Sequence, residues 1–425
     1  MTLTASTRAL SSDDFELINH LPENPLTFVR GGDGLVGFGQ ALKLVARGEN
    51  RIQDLADKWR EVSASAKIEN PLNIAGTGLV AFGSFAFSAN SEAESVLIVP
   101  EILLGKRDGR LWLTEIKNFE DESNTSGRLI DRDEETSESS FWNAQQVYRQ
   151  SAVELSDGEF KAEDFKAGVA NAVERIGRGD LKKVVIARDQ VGRAGADFDI
   201  RSVLQKLAHR FEGCWVYSVD GTFGASPELL VRVAHGQVSA RVLAGTAGRG
   251  TDPGVDRAIA AALAASAKNL EEHSYAVDSL VNSLSPFCSQ IDADPTPFSL
   301  ALPNVWHLAS DVHGVLKSSS NALDLAAALH PTAAVAGTPT DVAQLVLEEI
   351  EGFDRGRYAG PVGWIGADGD GEWAIALRGG QLKKLHDGAV EIRAYAGCGI
   401  VGESDPEAEL AETKLKLSPV RVALR

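Results

Sequence analysis

The sequence predicts an α+β protein, a large, mostly antiparallel β-sheet core flanked by helices, and three observations carry that prediction. Short apolar runs are joined by tight Asp-Gly and Gly-rich turns, the helical segments fall in groups between them, and no repeat recurs at a fixed period. Strands that follow one another through tight turns pair antiparallel, whereas a doubly wound sheet needs a helical crossover after each strand.

The first 150 residues mix short apolar runs, Leu72-Asn73-Ile74-Ala75 and Val96-Leu97-Ile98-Val99 among them, with glycine-rich turns. They read as strands of a scaffold without a chemical motif. Residues 117 to 145 are acidic and almost free of apolar periodicity, as expected of an exposed connection. A second region, 160 to 420, holds the chemistry. There Phe165 to Ile176 has helical spacing and ends at Gly177-Arg178-Gly179-Asp180, ahead of the apolar strand Val184 to Ala187. Cys214 to Val219 and Leu229 to Val233 read as strands, and the turns at Asp220-Gly221 and His235-Gly236 suit a meander. Ala258 to Leu284 is alanine-rich and amphipathic, hence one long helix. Ala322 to Leu329 and Asp341 to Glu351 are expected to be helical, Gly360 to Arg378 and Ala389 to Val401 to form strands, and Glu407 to Leu417 a final helix.

With 425 residues, 44% hydrophobic and 24% charged, the chain can bury a large core. Its net charge of −18 argues against nucleic acid, because neutralising phosphates needs clustered Lys and Arg. An anionic metabolite would have to be held by a few local cations or a metal ion, against the field of the whole protein. Cys214, Cys288 and Cys398 form no CxxC pair, so neither a disulfide framework nor a zinc site is indicated, and a reducing cytoplasm is expected. Met1 to Asp13 lacks the basic and apolar parts of an export signal, and no stretch approaches the ~20 apolar residues of a membrane helix. A soluble protein with no membrane partner is expected.

Glu409, Glu412 and Lys416, three and four residues apart, share one helical face and can present two carboxylates and an ammonium to one ligand. Taken alone, such a triplet is more commonly a solvated, salt-bridged surface. Upstream, the glycines of Tyr395-Ala396-Gly397-Cys398-Gly399-Ile400-Val401 mark a bulge or a close backbone approach, and exposed amides there suit a carboxylate. Glu271-Glu272-His273 lacks the second histidine of a zincin, and adjacent glutamates on a helix cannot both face one ligand. Carboxylates of this kind favour magnesium. Strand alternation points Lys183 away from the face of Val184, where desolvation would fit it as a general base; a strand-end lysine that snorkels to water is the plainer reading. Glu228, after Ser226-Pro227, is either a sheltered acid or an edge-strand charge.

Five motifs occur in one order: Lys183-Val184-Val185-Ile186-Ala187-Arg188, Gly224-Ala225-Ser226-Pro227-Glu228-Leu229-Leu230, Leu243-Ala244-Gly245-Thr246, Glu272-His273, and the segment around Gly397 to Lys416. Together they resemble the chorismate-using enzymes, over residues 160 to 420. That resemblance implies chorismate as substrate and the family's antiparallel α+β fold. Ammonia-using members place Gln where Lys183 stands. Lys183, with Leu329-His330-Pro331-Thr332-Ala333-Ala334-Val335-Ala336-Gly337-Thr338-Pro339, is similar to the isochorismate-forming members. The resemblance therefore implies that water is the nucleophile, with Lys183 as its general base at C2, Glu228 as acid for the departing C4 hydroxyl, and no glutamine amidotransferase partner. It implies Mg2+ held by Glu272 and Glu412, with Glu409 joining through water. It also implies Arg378 on the enolpyruvyl carboxylate and Lys416 with the amides around Gly397, Cys398 and Gly399 on the ring carboxylate. Ala244, Gly245, Thr246, His330, Val335 and Tyr358 would line the pocket. Cys398 departs from the family, where many relatives have Ala. Members that go on to eliminate pyruvate, giving salicylate, share these residues, and a non-catalytic homologue is the third reading.

Overall fold

A computed structural model describes residues 2–11, 15–118, 152–301, 305–317 and 319–425, apart from the side chains of Lys268 and Glu272. Two large sheets pack face to face, one of 13 strands and one of 10 among the described residues. The pairings are antiparallel except that of Leu3–Leu10 with Lys67–Glu69. The α+β prediction thus matches the observed fold. Alternation in strands such as Pro361–Gly366 and Gly371–Ile375 turns Val362, Trp364 and Ala374 inward onto Phe28, Tyr217 and Val219 of the opposite sheet. The other face of the second sheet packs on helices, where Val231, Val233 and Trp373 meet Leu323 and Ala326.

Strands from residues 2–118 and 152–425 share both sheets. In the first, Leu26–Arg30 pairs with Trp215–Val219. In the second, Val80–Ser84 pairs with Pro361–Gly366. The acidic segment expected at 117–145 lies outside the described residues from 119 onward, while Lys117 and Asn118 end the strand Arg110–Asn118.

Several elements differ from expectation. Residues 72–75 are not a strand: Asn73 sits at a φ of 46°, and the run turns toward Val80–Ser84 with Ile74 and Ala75 buried. Apolar content there marks burial rather than pleat. The long helix expected over 258–284 is two helices, Pro253–Ala265 and Ala267–Leu284, broken at Ser266, whose hydroxyl accepts from the Asn269 amide as an N-cap. The final helix, Pro406–Ala423, runs past Leu417 and through Pro419.

The expected meander is two hairpins in different sheets. Trp215–Val219 and Thr222–Ser226 belong to the first sheet, Leu229–Ala234 and Gln237–Gly248 to the second. The turns are as anticipated, with Asp220, Gly221, His235 and Gly236 all at positive φ, the backbone that tight right-twisted hairpins require. Between the hairpins the chain crosses from one sheet to the other at Pro227 and Glu228. Among the described residues no helix is long and apolar enough to cross a membrane.

Candidate active site

The crossing at Glu228 opens the site. Its amide donates to the Ser226 hydroxyl at 3.2 Å, and its carbonyl accepts from the Ile375 amide at 3.1 Å, so the main chain is held from both sheets. Burial pushes the Glu228 carboxyl up to about 7, against the pull of three cations that face it, Lys183, Arg378 and Lys416. Four of the expected functional groups therefore share one space.

Lys183 opens the strand Lys183–Ala194, pairing with Thr338, and from Val184 onward the strand pairs with Val390–Ile400. Its stem lies over Gly399, since a Cβ added there would stand 2.7 Å from the lysine Cε. Gly399→Ala is accordingly expected to push the ammonium group out of line and lower kcat by about 10²-fold, the usual cost of a 1 Å misplacement. Steady-state kinetics on a variant with an unchanged melting temperature checks this.

A buried ion pair steadies that strand. Arg355 donates to Glu351 through Nε and Nη2 at 2.8 and 2.5 Å, to the Val185 carbonyl at 2.6 Å and to the Val335 carbonyl at 2.9 Å. Glu351 in turn accepts from the Ala187 amide at 2.7 Å, and the Val185 amide donates to the Ala336 carbonyl at 2.9 Å. With their amides so engaged, Val185 and Ala187 face Gly399 and Gly397 in non-hydrogen-bonded pairs. Gly397 and Gly399 thus turn their main-chain groups to the opposite, open edge, because pairing with Gly379–Lys384 stops at Ala394. Lys416 marks that edge by donating to the Gly397 carbonyl at 2.8 Å. Cys398 instead keeps its main chain toward Ile186, and its buried thiol, pushed up by burial, lies 3.7 Å from the Glu409 carbonyl.

Arg378 sits between Gly371–Ile375 and Gly379–Lys384 in the left-handed region, φ 51°, a backbone that costs a bulky non-glycine residue energy and is held by its surroundings. Burial pulls its pKa down, and Tyr358, Cys214, Glu412 and Glu228 oppose that. Tyr358 stacks on Tyr395 at 5.0 Å between centroids, and burial pushes its hydroxyl up to about 12, so it stays a neutral hydrogen-bonding phenol.

Glu412 and Lys416, one helical turn apart on Pro406–Ala423, pair at 2.6 Å. Glu409 accepts from the Ser404 hydroxyl at 2.7 Å. Glu272 lies on Ala267–Leu284, with its side chain outside the described residues, while Glu271 accepts from the exposed Tyr275 hydroxyl at 3.0 Å. His273 fixes this helix to the strand Gln237–Gly248: Nδ1 donates to the Ala244 carbonyl at 3.1 Å, and Nε2 accepts from Ser310 at 2.9 Å. The Ala244 carbonyl is thereby used for structure. Gly245, at φ 84° in the bulge between Leu243 and Thr246, lets the strand bend toward the site.

Two placements fall outside this cluster. His330 donates through Nε2 to the Phe87 carbonyl at 3.0 Å and meets that ring edge-on, so it anchors the first part of the chain, and burial pulls it down to about 3. Val335 is buried beneath the strand of Lys183, with its carbonyl held by Arg355.

His307 escaped the sequence reading. It stands opposite Thr246 in the second sheet, with Nδ1 2.9 Å from the threonine hydroxyl. Burial first, then Arg378 and Lys416, pull its pKa down to about 4, so a neutral imidazole faces the same cations and Glu412. In the sequence it is an unremarkable histidine in an alternating strand; only its cross-strand place beside Thr246 gives it a role. Arg355 and Glu351 were missed as well.

Residues 14–425 match the model of the chorismate binding enzyme family. Isochorismate synthase MenF of Bacillus subtilis is 31% identical over 423 residues, which cover 95% of this chain and 86% of that protein. Isochorismate synthase DhbC of the same organism is 39% identical over 266 residues, 60% of this chain and 66% of the other. The structure of MenF, the menaquinone-specific isochorismate synthase from Escherichia coli, shares the fold with a TM-score of 0.77 at 22% identity, covering 100% of this chain and 95% of that one. With a buried carboxyl, a lysine and an arginine in one space, and with the family match spanning nearly the whole chain, the chain belongs to the chorismate binding enzymes.

Proposed function

We propose that this chain is an isochorismate synthase, which adds water at C2 of chorismate and releases the C4 hydroxyl. The observation that carries the reading is the placement of Lys183 and Glu228 on separate elements around one space, with Arg378 and Lys416 beside them. A 1,5-type exchange of hydroxyls needs a base on one side of the ring and an acid on the other. A carboxyl poised near 7 is half-protonated at neutral pH and suits the acid, while Lys183 in its neutral amine form removes the proton of the attacking water and becomes the ammonium. Arg378 and Lys416 supply positive charge for the two carboxylates, and the outward main chain of Gly397 and Gly399 supplies amides for one of them. His307 and Thr246 hold the second sheet's wall in place.

Glu409 and Glu412 offer hard oxygen donors on one face of a helix, which fits Mg2+, and Glu272 is the third candidate ligand. Among the described residues no group of three or more His, Cys, Asp or Glu is already gathered for a metal, and Glu412 would exchange its pairing with Lys416 for the ion. When bound, Mg2+ would supply charge neutralisation to a substrate carboxylate.

Incubating the purified chain with chorismate and Mg2+ tests the reading by product identity. Isochorismate alone is expected. Salicylate with pyruvate would place the chain among the pyruvate-eliminating members, anthranilate formed with ammonia would overturn the water assignment, and no turnover would overturn catalysis itself. Removing divalent ions with EDTA is expected to abolish turnover, and Mg2+ to restore it.

A further inference from the structure

Beyond the reacting groups, Cys214 links Arg378 electrostatically to a second set of arginines. Cys214, half-buried at the start of Trp215–Val219, feels Arg378 on one side and Arg30 on the other. Arg30 lies over the Trp215 ring, 4.1 Å from its centroid, and its Nε donates to the Gly213 carbonyl at 2.9 Å. Arg232 and Arg241 both face Arg30, and Glu372 is the carboxylate that offsets them. That carboxylate is heavily shared. It accepts from Trp215 Nε1 at 2.7 Å, stands 3.6 Å from Arg107 Nη2, and lies opposite Arg232 in the ladder. Arg107 Nε is buried without a hydrogen-bond partner among the described residues. Arg241 is held by Asp311 at 2.6 and 2.8 Å and also faces Asp294.

One wall joins this cluster to the reacting groups. In the pair Gln237–Gly248 and Val305–Leu316, Arg241 stands opposite Asp311, Leu243 opposite Ala309, and Thr246 opposite His307. Alternation puts Asp311, Ala309 and His307 on one face, so Arg241 and His307 look out on the same side of the sheet, with buried Ala309 between them. Among the described residues Glu372 is the carboxylate common to Arg30, Arg107 and Arg232, on the sheet face that also carries Arg241, in a protein of net charge −18.

We propose that Arg30, Arg107, Arg232 and Arg241 form an anion-collecting vestibule, which captures a small multiply charged carboxylate and passes it along this wall to Arg378 and Lys416. Only the identity of that anion rests on the reading of the chain as an isochorismate synthase. Low-dielectric walls around a shared positive charge concentrate anions locally and raise their capture rate, an effect that salt removes.

Cys214 reports this field directly. Alkylation rates at Cys214 with anionic iodoacetate and neutral iodoacetamide are measured on the full chain at one pH and resolved from buried Cys288 and Cys398 by peptide mapping. Relative to a free thiol, the iodoacetate-to-iodoacetamide ratio is expected to be raised roughly ten-fold at low salt and to fall toward the free-thiol value at high salt. Arg232→Gln should lower it, and Asp311→Asn, which removes a carboxylate from Arg241, should raise it. A free-thiol ratio overturns the proposal, as does a raised ratio that neither substitution moves, since Arg378 alone would then account for it. Failure of folded Cys214 to react with either reagent, while the denatured chain reacts, also overturns it by showing the path closed. No chorismate is present, so these results stand even if turnover fails. If chorismate is turned over, Arg232→Gln should lower kcat/KM more than kcat, with the loss shrinking as salt is added.

Discussion

Lys183→Ala is expected to lower turnover of chorismate roughly 10²- to 10⁴-fold, the usual contribution of a positioned general base, while chorismate still binds. Binding survives because the cations assigned to the substrate carboxylates, Arg378 and Lys416, are untouched and are anchored elsewhere: Lys416 on the Gly397 carbonyl, Arg378 by its own strained turn. The variant should also fold, because Lys183 projects from the end of a strand whose register is set by eleven residues of pairing partner and by Arg355 and Glu351. Calorimetric titration with chorismate, set beside single-turnover rates, separates the two effects. Wild-type turnover in the variant would rule out the base role, and loss of binding together with turnover would make Lys183 a binding cation instead.

Glu228→Gln should lose activity and gain stability together. A glutamine cannot deliver a proton to the departing hydroxyl, so a loss of roughly 10²- to 10⁴-fold is expected. In the wild type the same step should weaken as pH rises through about 7, where the carboxyl gives up its proton. The stability effect has a definite sign. Folding raises this carboxyl from its ordinary 4.5 to about 7, so its contribution is fully present below 4.5 and is lost as pH climbs through about 7. The melting temperature of Glu228→Gln relative to wild type should therefore be higher at pH 8 than at pH 5. An equal difference at the two pH values would mean that the carboxylate is not buried at a cost, and would remove the physical basis for calling it the acid.

What could be read from the sequence was local or carried by ordered motifs. The positive-φ turns at Asp220-Gly221 and His235-Gly236, the strand after Lys183 and the shared helical face of Glu409, Glu412 and Lys416 depend on neighbours a few residues away, and all three appear as expected. Sheet membership depends on distant partners. Two hairpins with similar turn chemistry look the same whether they share a sheet or not, so the turns suit a meander although the chain changes sheet at Glu228. The break at Ser266 is hidden by alanine-rich periodicity on both sides, although serine is itself a favoured N-cap residue. His307 and the pair Arg355 with Glu351 gain their roles only from cross-strand and inter-element contacts. His330 shows a contact the motif does not reveal: its Nε2 donates to the Phe87 carbonyl, far along the chain.

The eleven-residue pairing of Val184 to Ala194 with Val390–Ile400 also has a consequence for the growing polypeptide on the ribosome. Until the later strand emerges, the earlier one presents a long edge of unpaired amides and carbonyls beside the apolar run Val184 to Ala187, the kind of template that invites pairing with other chains. Leu26–Arg30 waits in the same way for Trp215–Val219. Because its floor is laid by one of the last strands made, the reaction chamber is among the last parts to assemble, so a stalled or truncated nascent chain would be sticky before it could be active.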